Sequence, residues 1–188
     1  MEFVKNYKNW INPSWIEEIT NTPGLSVPKD MFQNINIFEE IENGKREPMD
    51  KSEEEIYKVY GTDLVQFQLL EKDGLSFKID PPWIQPDEDF TWWIIKMYPG
   101  QYIPVHRDNP RGDDKNTRRY WMPLTEYDPG HIFVYEDITV SKYNKGDLYL
   151  YNETKALHGA INIGSTTRII LQVSAYYKKD EVKNEIHR

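Results

Sequence analysis

His106, Asp108, His158 and Arg168 are the residues of this chain whose types and spacing best suit joint chemistry. His106 and Asp108 flank Arg107 in a His-x-Asp triplet. His158 lies well downstream, and Arg168 follows it ten residues later. Two imidazoles and one carboxylate on one face of a metal leave three positions open, which suits non-haem Fe(II) and its oxygen chemistry. The arginine adds a permanently charged fork for an anion. His-x-Asp alone is a weak signal, because such short pairs arise by chance. A downstream His, and then an Arg at the start of a strand, make the combination more specific.

These residues act together only if the fold assembles them. The 188 residues read as a single domain over 1–188, with 38% hydrophobic and 14% aromatic residues to build its core. The pattern changes near Tyr60. Residues 1–60 read as a helical layer. Asn12-Pro13-Ser14 starts a helix carrying Trp15, Ile16 and Ile19. Pro28-Lys29-Asp30 opens a second, with Met31, Ile35, Phe38 and Ile41, stopped by Asn43-Gly44. Ser52 and Glu55 form a capping box ahead of Ile56, Val59 and Tyr60.

Residues 61–177 read as a β core. The predicted strands are 64–70, 75–79, 91–98, 102–105, 118–124, 131–135, 147–151, 159–163 and 168–177. Turn chemistry separates most of them, as in Pro99-Gly100, Asp128-Pro129-Gly130 and Asn144-Lys145-Gly146. Many short strands with regular turns predict a sandwich or barrel. Residues 178–188 form a charged tail that holds His187. His106 and Asp108 end one strand, spaced to share a face. His158 starts a later strand, and Arg168 opens the last. An antiparallel barrel can bring three such ligands to its mouth with a cation deeper inside.

The run Tyr98-Pro99-Gly100-Gln101-Tyr102-Ile103-Pro104-Val105-His106-Arg107-Asp108 resembles the first metal-binding strand of the Fe(II)/2-oxoglutarate-dependent oxygenases, in particular the prolyl-4-hydroxylase-like branch. Lys145-Gly146-Asp147-Leu148, followed by His158-Gly159, resembles the second half of the same fold. The resemblance spans about Trp92 to Tyr176. It implies a mainly β chain with N-terminal helices and a double-stranded β-helix (jelly-roll, cupin-like) core. It also implies Fe(II) held by His106, Asp108 and His158, with 2-oxoglutarate and O2 as co-substrates. The far carboxylate of 2-oxoglutarate would pair with Arg168, whose fork matches a carboxylate bidentately. Relatives often carry Ser or Thr two residues after that arginine. Here the position is Ile170, which leaves Thr166 or another strand to supply a hydroxyl. Some relatives place a further cofactor-binding arginine on the strand after His-x-Asp. Arg118 and Arg119 point to opposite faces of a strand, and Arg119 is the favoured interior residue. Tyr102 shares a face with His106 if the strand is regular; it then contacts the cofactor or, more commonly for such a tyrosine, fills core.

The implied reaction is hydroxylation of an amino acid, peptide residue or small metabolite, with release of succinate and CO2. In related halogenases the position of Asp108 is Ala or Gly, so Asp108 favours hydroxylation. Two other readings stand beside it: a cupin-like metal enzyme without 2-oxoglutarate, and a non-catalytic β-sandwich module that leaves Arg168 exposed. His131 reads as a hydrogen-bonded structural histidine. Glu136-Asp137 and Asp113-Asp114 read as solvated acidic pairs. The polar loop 109–117 reads either as a segment that closes over a substrate or as an ordinary long connection.

Composition removes other classes. No cysteine is present, which excludes disulfides, thiolate metal sites and a cysteine nucleophile. Net charge is −8, which disfavours nucleic acid. Nothing approaches the roughly 20 apolar residues that span a membrane. Nor does the N-terminus read as a signal peptide. A soluble intracellular (cytoplasmic) protein is expected.

Overall fold

The computed structural model describes residues 1–26, 68–71, 74–106, 117–151 and 156–177. The strands among them are β1 (Glu2–Asn6), β2 (Leu25–Ser26), β3 (Gln68–Glu71), β4 (Glu88–Met97), β5 (Tyr102–His106), β6 (Thr117–Pro123), β7 (His131–Tyr135), β8 (Ile138–Val140), β9 (Asp147–Tyr151), β10 (His158–Asn162) and β11 (Arg168–Tyr177). One α-helix, α1 (Pro13–Asn21), precedes β2. All the pairings are antiparallel. They make a seven-stranded sheet, β1-β9-β6-β11-β4-β3-β2, and a four-stranded sheet, β5-β10-β7-β8. From β4 to β11 the chain changes sheet at each connection except β7 to β8. This winding is a double-stranded β-helix of the cupin type, as the resemblance implies.

Strand alternation sorts the side chains into two cores. On β11, Ile169, Leu171, Val173 and Ala175 pack outward with Ile19 of α1 and with Trp83. Ile170 packs inward with Trp121, Phe133 and Tyr151, between the two sheets. The stacked pair Trp121 and Phe133, 5.1 Å between ring centroids, bridges those sheets. Because both faces are covered, β11 is apolar on both parities, and Arg168 and Gln172 stand out on the inner one.

The helix α1 begins as its sequence predicts. The Asn12 side chain accepts the Ser14 N–H at 3.0 Å, and Pro13 occupies the first turn, where its missing N–H costs nothing. Its C-terminal end is closed by a buried lysine on β4. The Lys96 ammonium donates to the carbonyls of Ile19 (3.1 Å) and Thr22 (2.7 Å). A cation at a helix C-terminus also complements the helix dipole.

Several expectations are corrected. Residues 75–79 are not a strand. The Ser76 hydroxyl donates to Glu18 at 2.6 Å, Glu18 also accepts the Ser76 amide, and Phe77 stacks on Trp15 at 5.1 Å. A backbone amide held by a carboxylate is lost to a ladder. The first third is not purely helical either, since β1 pairs with β9 and β2 with β3. The predicted helices beginning at Pro28 and Ser52, residues 64–67 of a predicted strand, and the charged tail lie outside the described residues.

Candidate metal and anion site

The register of β5 on β10 sets His106 directly opposite His158. The ladder shifts between His158 and Ala160, because Ala160 pairs with Ile103, so β5 carries an extra residue around Pro104. Proline has no N–H for the ladder, and a bulge accommodates it. The bulge breaks the even spacing from Tyr102 to His106 on which a shared face depended. Tyr102 pairs with Ile161 and lies half-buried against the inner aromatic cluster.

His158 is held tightly. Its Nδ1 lies 2.9 Å from the Ala156 carbonyl. A carbonyl only accepts, so Nδ1 carries a proton, and in the neutral ring Nε2 keeps the lone pair a metal needs. The preceding residue is also pinned: the Leu157 amide donates to the Glu136 carboxylate at 2.8 Å, and the Glu136 amide donates to the Leu157 carbonyl at 2.7 Å. Glu136, expected as a solvated acid, thus anchors the approach to His158. A Cβ at Gly159 would stand 2.9 Å from the Val105 backbone, so the residue after His158 must be glycine for β5 to approach. Asp108 and the loop that follows it, including Asp113 and Asp114, lie outside the described residues. Among the described residues no cluster of three or more His, Asp or Glu is found.

Among the described residues Arg168 is the largest fully buried side chain, 1% exposed. It shares the parity of Ile170 and pairs with Met97 of β4. Its Nη1 lies 3.2 Å from the Met97 sulfur, and its guanidinium lies 5.6 Å from the Trp121 ring centroid. Its Nε and Nη2, which share one edge of the guanidinium, are buried and have no hydrogen-bond partner among the described residues. Burial lowers its pKa, with the Tyr143 phenol opposing, yet a guanidinium stays charged. A buried cation with two idle parallel donors is chemically incomplete, and a planar carboxylate completes it.

The adjacent arginines separate as strand geometry requires. Arg118 turns to the outer side and pairs with the buried Glu88, its Nε donating at 2.9 Å. Arg119 has the parity of Trp121 and pairs with Tyr151 of β9 and Ser174 of β11. Burial lowers its pKa and the Tyr151 phenol opposes that. Gln172 donates to the Tyr151 hydroxyl, and burial raises that phenol well above its usual range. The Tyr151 ring lies 6.0 Å from the His158 ring, so this polar group borders His158.

Thr166 does not supply the missing hydroxyl beside Arg168. Its Oγ1 donates to Asp128 at 3.1 Å on the exposed side of the loop. Tyr143, which no motif marks, packs edge-on to Trp121, the ring that also neighbours the guanidinium. Lys145-Gly146-Asp147 is a structural junction. Asp147 accepts from Asn144 N–H (2.7 Å) and Asn6 (2.8 Å), and a Cβ at Gly146 (φ +84°) would meet the Lys8 backbone at 2.4 Å.

Neither a protein-family model nor a curated protein matches the chain in sequence. Solved structures do resemble it. The viral collagen prolyl hydroxylase of Paramecium bursaria Chlorella virus 1, solved with 2-oxoglutarate, is 21% identical over 50% of this chain and 63% of its own (TM-score 0.39). The cupin domain of Schizosaccharomyces pombe Cnp3 is 16% identical over 61% and 64% (TM-score 0.37). A cupin-superfamily sugar phosphate isomerase of Silicibacter pomeroyi is 13% identical over 60% and 66% (TM-score 0.39). No helix among the described residues is long and apolar enough to cross a membrane.

Proposed function

We propose that this chain is an Fe(II)- and 2-oxoglutarate-dependent oxygenase that hydroxylates an amino acid, a peptide residue or a small metabolite, releasing succinate and CO2. The observation that carries the reading is the buried Arg168 with its idle Nε and Nη2 edge, inside the same barrel as the opposed His106 and His158. His158 and Asn162 lie four residues apart on β10, about 13 Å at roughly 3.3 Å per residue. Asn162 donates to the Met97 carbonyl, and Met97 pairs with Arg168, so the cation stands near the Asn162 end. The arginine side chain reaches back across part of that length. A short dicarboxylate suits the remaining gap.

His106, Asp108 and His158 would hold the iron, and Arg168 the far carboxylate of the co-substrate. Bound together, iron and 2-oxoglutarate supply the oxygen-dependent oxidation of a C–H bond. The protein's part is to orient and exclude. The Ala156 carbonyl fixes the His158 tautomer, Arg168 fixes the direction of the co-substrate, and Trp121 and Phe133 keep water from the guanidinium. A metal enzyme that dispenses with 2-oxoglutarate leaves Arg168 without its anion, and a binding module requires Arg168 to be exposed. The net charge of −8 favours a substrate other than nucleic acid.

The test is anaerobic addition of Fe(II) and 2-oxoglutarate, followed by visible spectroscopy. A charge-transfer band is expected, and His158→Ala should abolish it. A folded wild-type chain that gives no band refutes the reading.

A further inference from the structure

A buried polar chain runs behind Arg168. His131 is fully buried, with Nε2 3.1 Å from the Thr166 carbonyl and Nδ1 2.9 Å from the Tyr143 hydroxyl. The carbonyl can only accept, so Nε2 carries the proton. In a neutral ring Nδ1 is then bare and accepts the Tyr143 proton. Tyr143 has one proton and has donated it, so its oxygen offers only lone pairs to its other neighbour. That neighbour is the Arg168 guanidinium, which lies 5.6 Å from the centroid of the same Trp121 ring that the Tyr143 ring abuts; the phenol's electrostatic influence on the guanidinium agrees. Direction is thus fixed at every link: His131 donates to Thr166, Tyr143 donates to His131, and Arg168 faces the phenol oxygen.

The anchor of the chain is rigid. The Thr166 carbonyl also accepts from Asn162 at 2.8 Å, and the Thr166 amide donates to Asp128 at 2.9 Å. The Tyr143 ring packs edge-on to Trp121 at 5.6 Å and stacks on His131 at 6.4 Å. Burial keeps His131 below its usual pKa, and Arg168 acts the same way, while the Thr166 carbonyl and Asp128 oppose. The neutral ring that the proton count requires is therefore the favoured one.

We propose that His131 and Tyr143 are positioning residues for Arg168, holding the guanidinium so that its Nε and Nη2 edge is open to a carboxylate. The pair occupies the role left vacant by Ile170, with the hydroxyl arriving from the β8–β9 connection and not from β11. This inference rests on the reading of Arg168 as the receiver of an anion. It adds that the receiver is preset by a histidine that touches neither metal nor ligand.

The experiment uses the full chain without metal and glutarate as the probe, followed by calorimetry and by tryptophan fluorescence, since Trp121 adjoins the guanidinium. Tyr143→Phe and His131→Phe should each weaken glutarate about tenfold, the effect of a guanidinium that must be ordered when the ligand binds. The double variant should be no weaker than Tyr143→Phe alone, because both changes cut one chain. His131→Gln keeps an acceptor and a donor, and should bind within about threefold of wild type. It also serves if His131→Phe does not fold. Unchanged glutarate affinity in Tyr143→Phe and His131→Gln/Tyr143→Phe, or losses that add in the double variant, overturn the proposal while leaving Arg168 as the receiver. Failure of the wild-type chain to bind glutarate overturns both. Glutarate binding without an iron-dependent band removes the oxygenase reading and leaves the positioning pair standing.

Discussion

Arg168→Met should make the ligand-free protein more stable while destroying its affinity for dicarboxylates. The guanidinium is fully buried with two unpartnered donors, Nε and Nη2. Each such donor costs about 1–3 kcal/mol of desolvation. The attraction to Trp121, 5.6 Å away, returns about 0.5–2 kcal/mol. Methionine has a similar reach, adds no polar atom and packs against Met97 and Trp121. The balance favours the variant by about 2 kcal/mol. For a chain of this size that raises the midpoint of thermal unfolding by about 4–8 °C.

Thermal unfolding with and without 2-oxoglutarate, in the absence of metal, reads both halves of the expectation. Ligand at about a hundred times Kd adds about 2.7 kcal/mol to the wild type, and its midpoint should rise accordingly. The variant should start higher and not move. A variant that unfolds several degrees below wild type, and still responds to the ligand, refutes the argument. It would mean that Arg168 is already satisfied and is structural. A buried arginine kept for stability and one kept for binding an anion predict opposite signs, so one melting curve separates them.

Gly159→Ala should cost about 1–3 kcal/mol, because its methyl meets the Val105 backbone at 2.9 Å and must push β5 away; denaturant unfolding measures the loss, and the charge-transfer band should fall with it. Lys96→Met should destabilise by about 2–4 kcal/mol by orphaning the carbonyls of Ile19 and Thr22, with glutarate affinity unchanged in calorimetry. Stability should also depend on His131. Its folded pKa lies below the ordinary 6.5, so below pH 6.5 the unfolded chain takes up the proton first. The contribution is complete above 6.5 and is lost as pH falls toward the folded value, with a slope of up to about 1.4 kcal/mol per pH unit. Denaturant melts of wild type and His131→Gln between pH 5 and 7 should differ by that slope, and parallel curves would contradict it.

The β core was readable because period-two alternation and turn residues are local. Strands 131–135, 147–151 and 168–177 fall where apolar alternation and glycine turns place them. β1 escaped notice because all its residues are exposed, so no apolar pattern marks an edge strand that is held by backbone pairing to β9. Residues 75–79 alternate like a strand, yet a carboxylate from α1 takes the backbone amide that a ladder needs. Such a contact lies 58 positions away and leaves no local trace.

The same logic divides the site. Alternation alone assigns Arg119 inward once Trp121 is known to be core, and it places Arg168, Ile170 and Gln172 on one inner face. What alternation cannot supply is a connection crossing behind that face. Tyr143 comes from the β8–β9 connection, in a Ser-Lys-Tyr-Asn-Lys run that reads as an ordinary loop. His131 reads as a strand histidine with structural bonds, which it has. Only the order of donors from Thr166 through His131 and Tyr143 to Arg168 turns those bonds into a direction. A carbonyl that cannot donate sets the first proton, and every later one follows. If Arg168 receives a carboxylate as proposed, the hydroxyl beside it comes from the β8–β9 connection, with a histidine that decides which way its proton points.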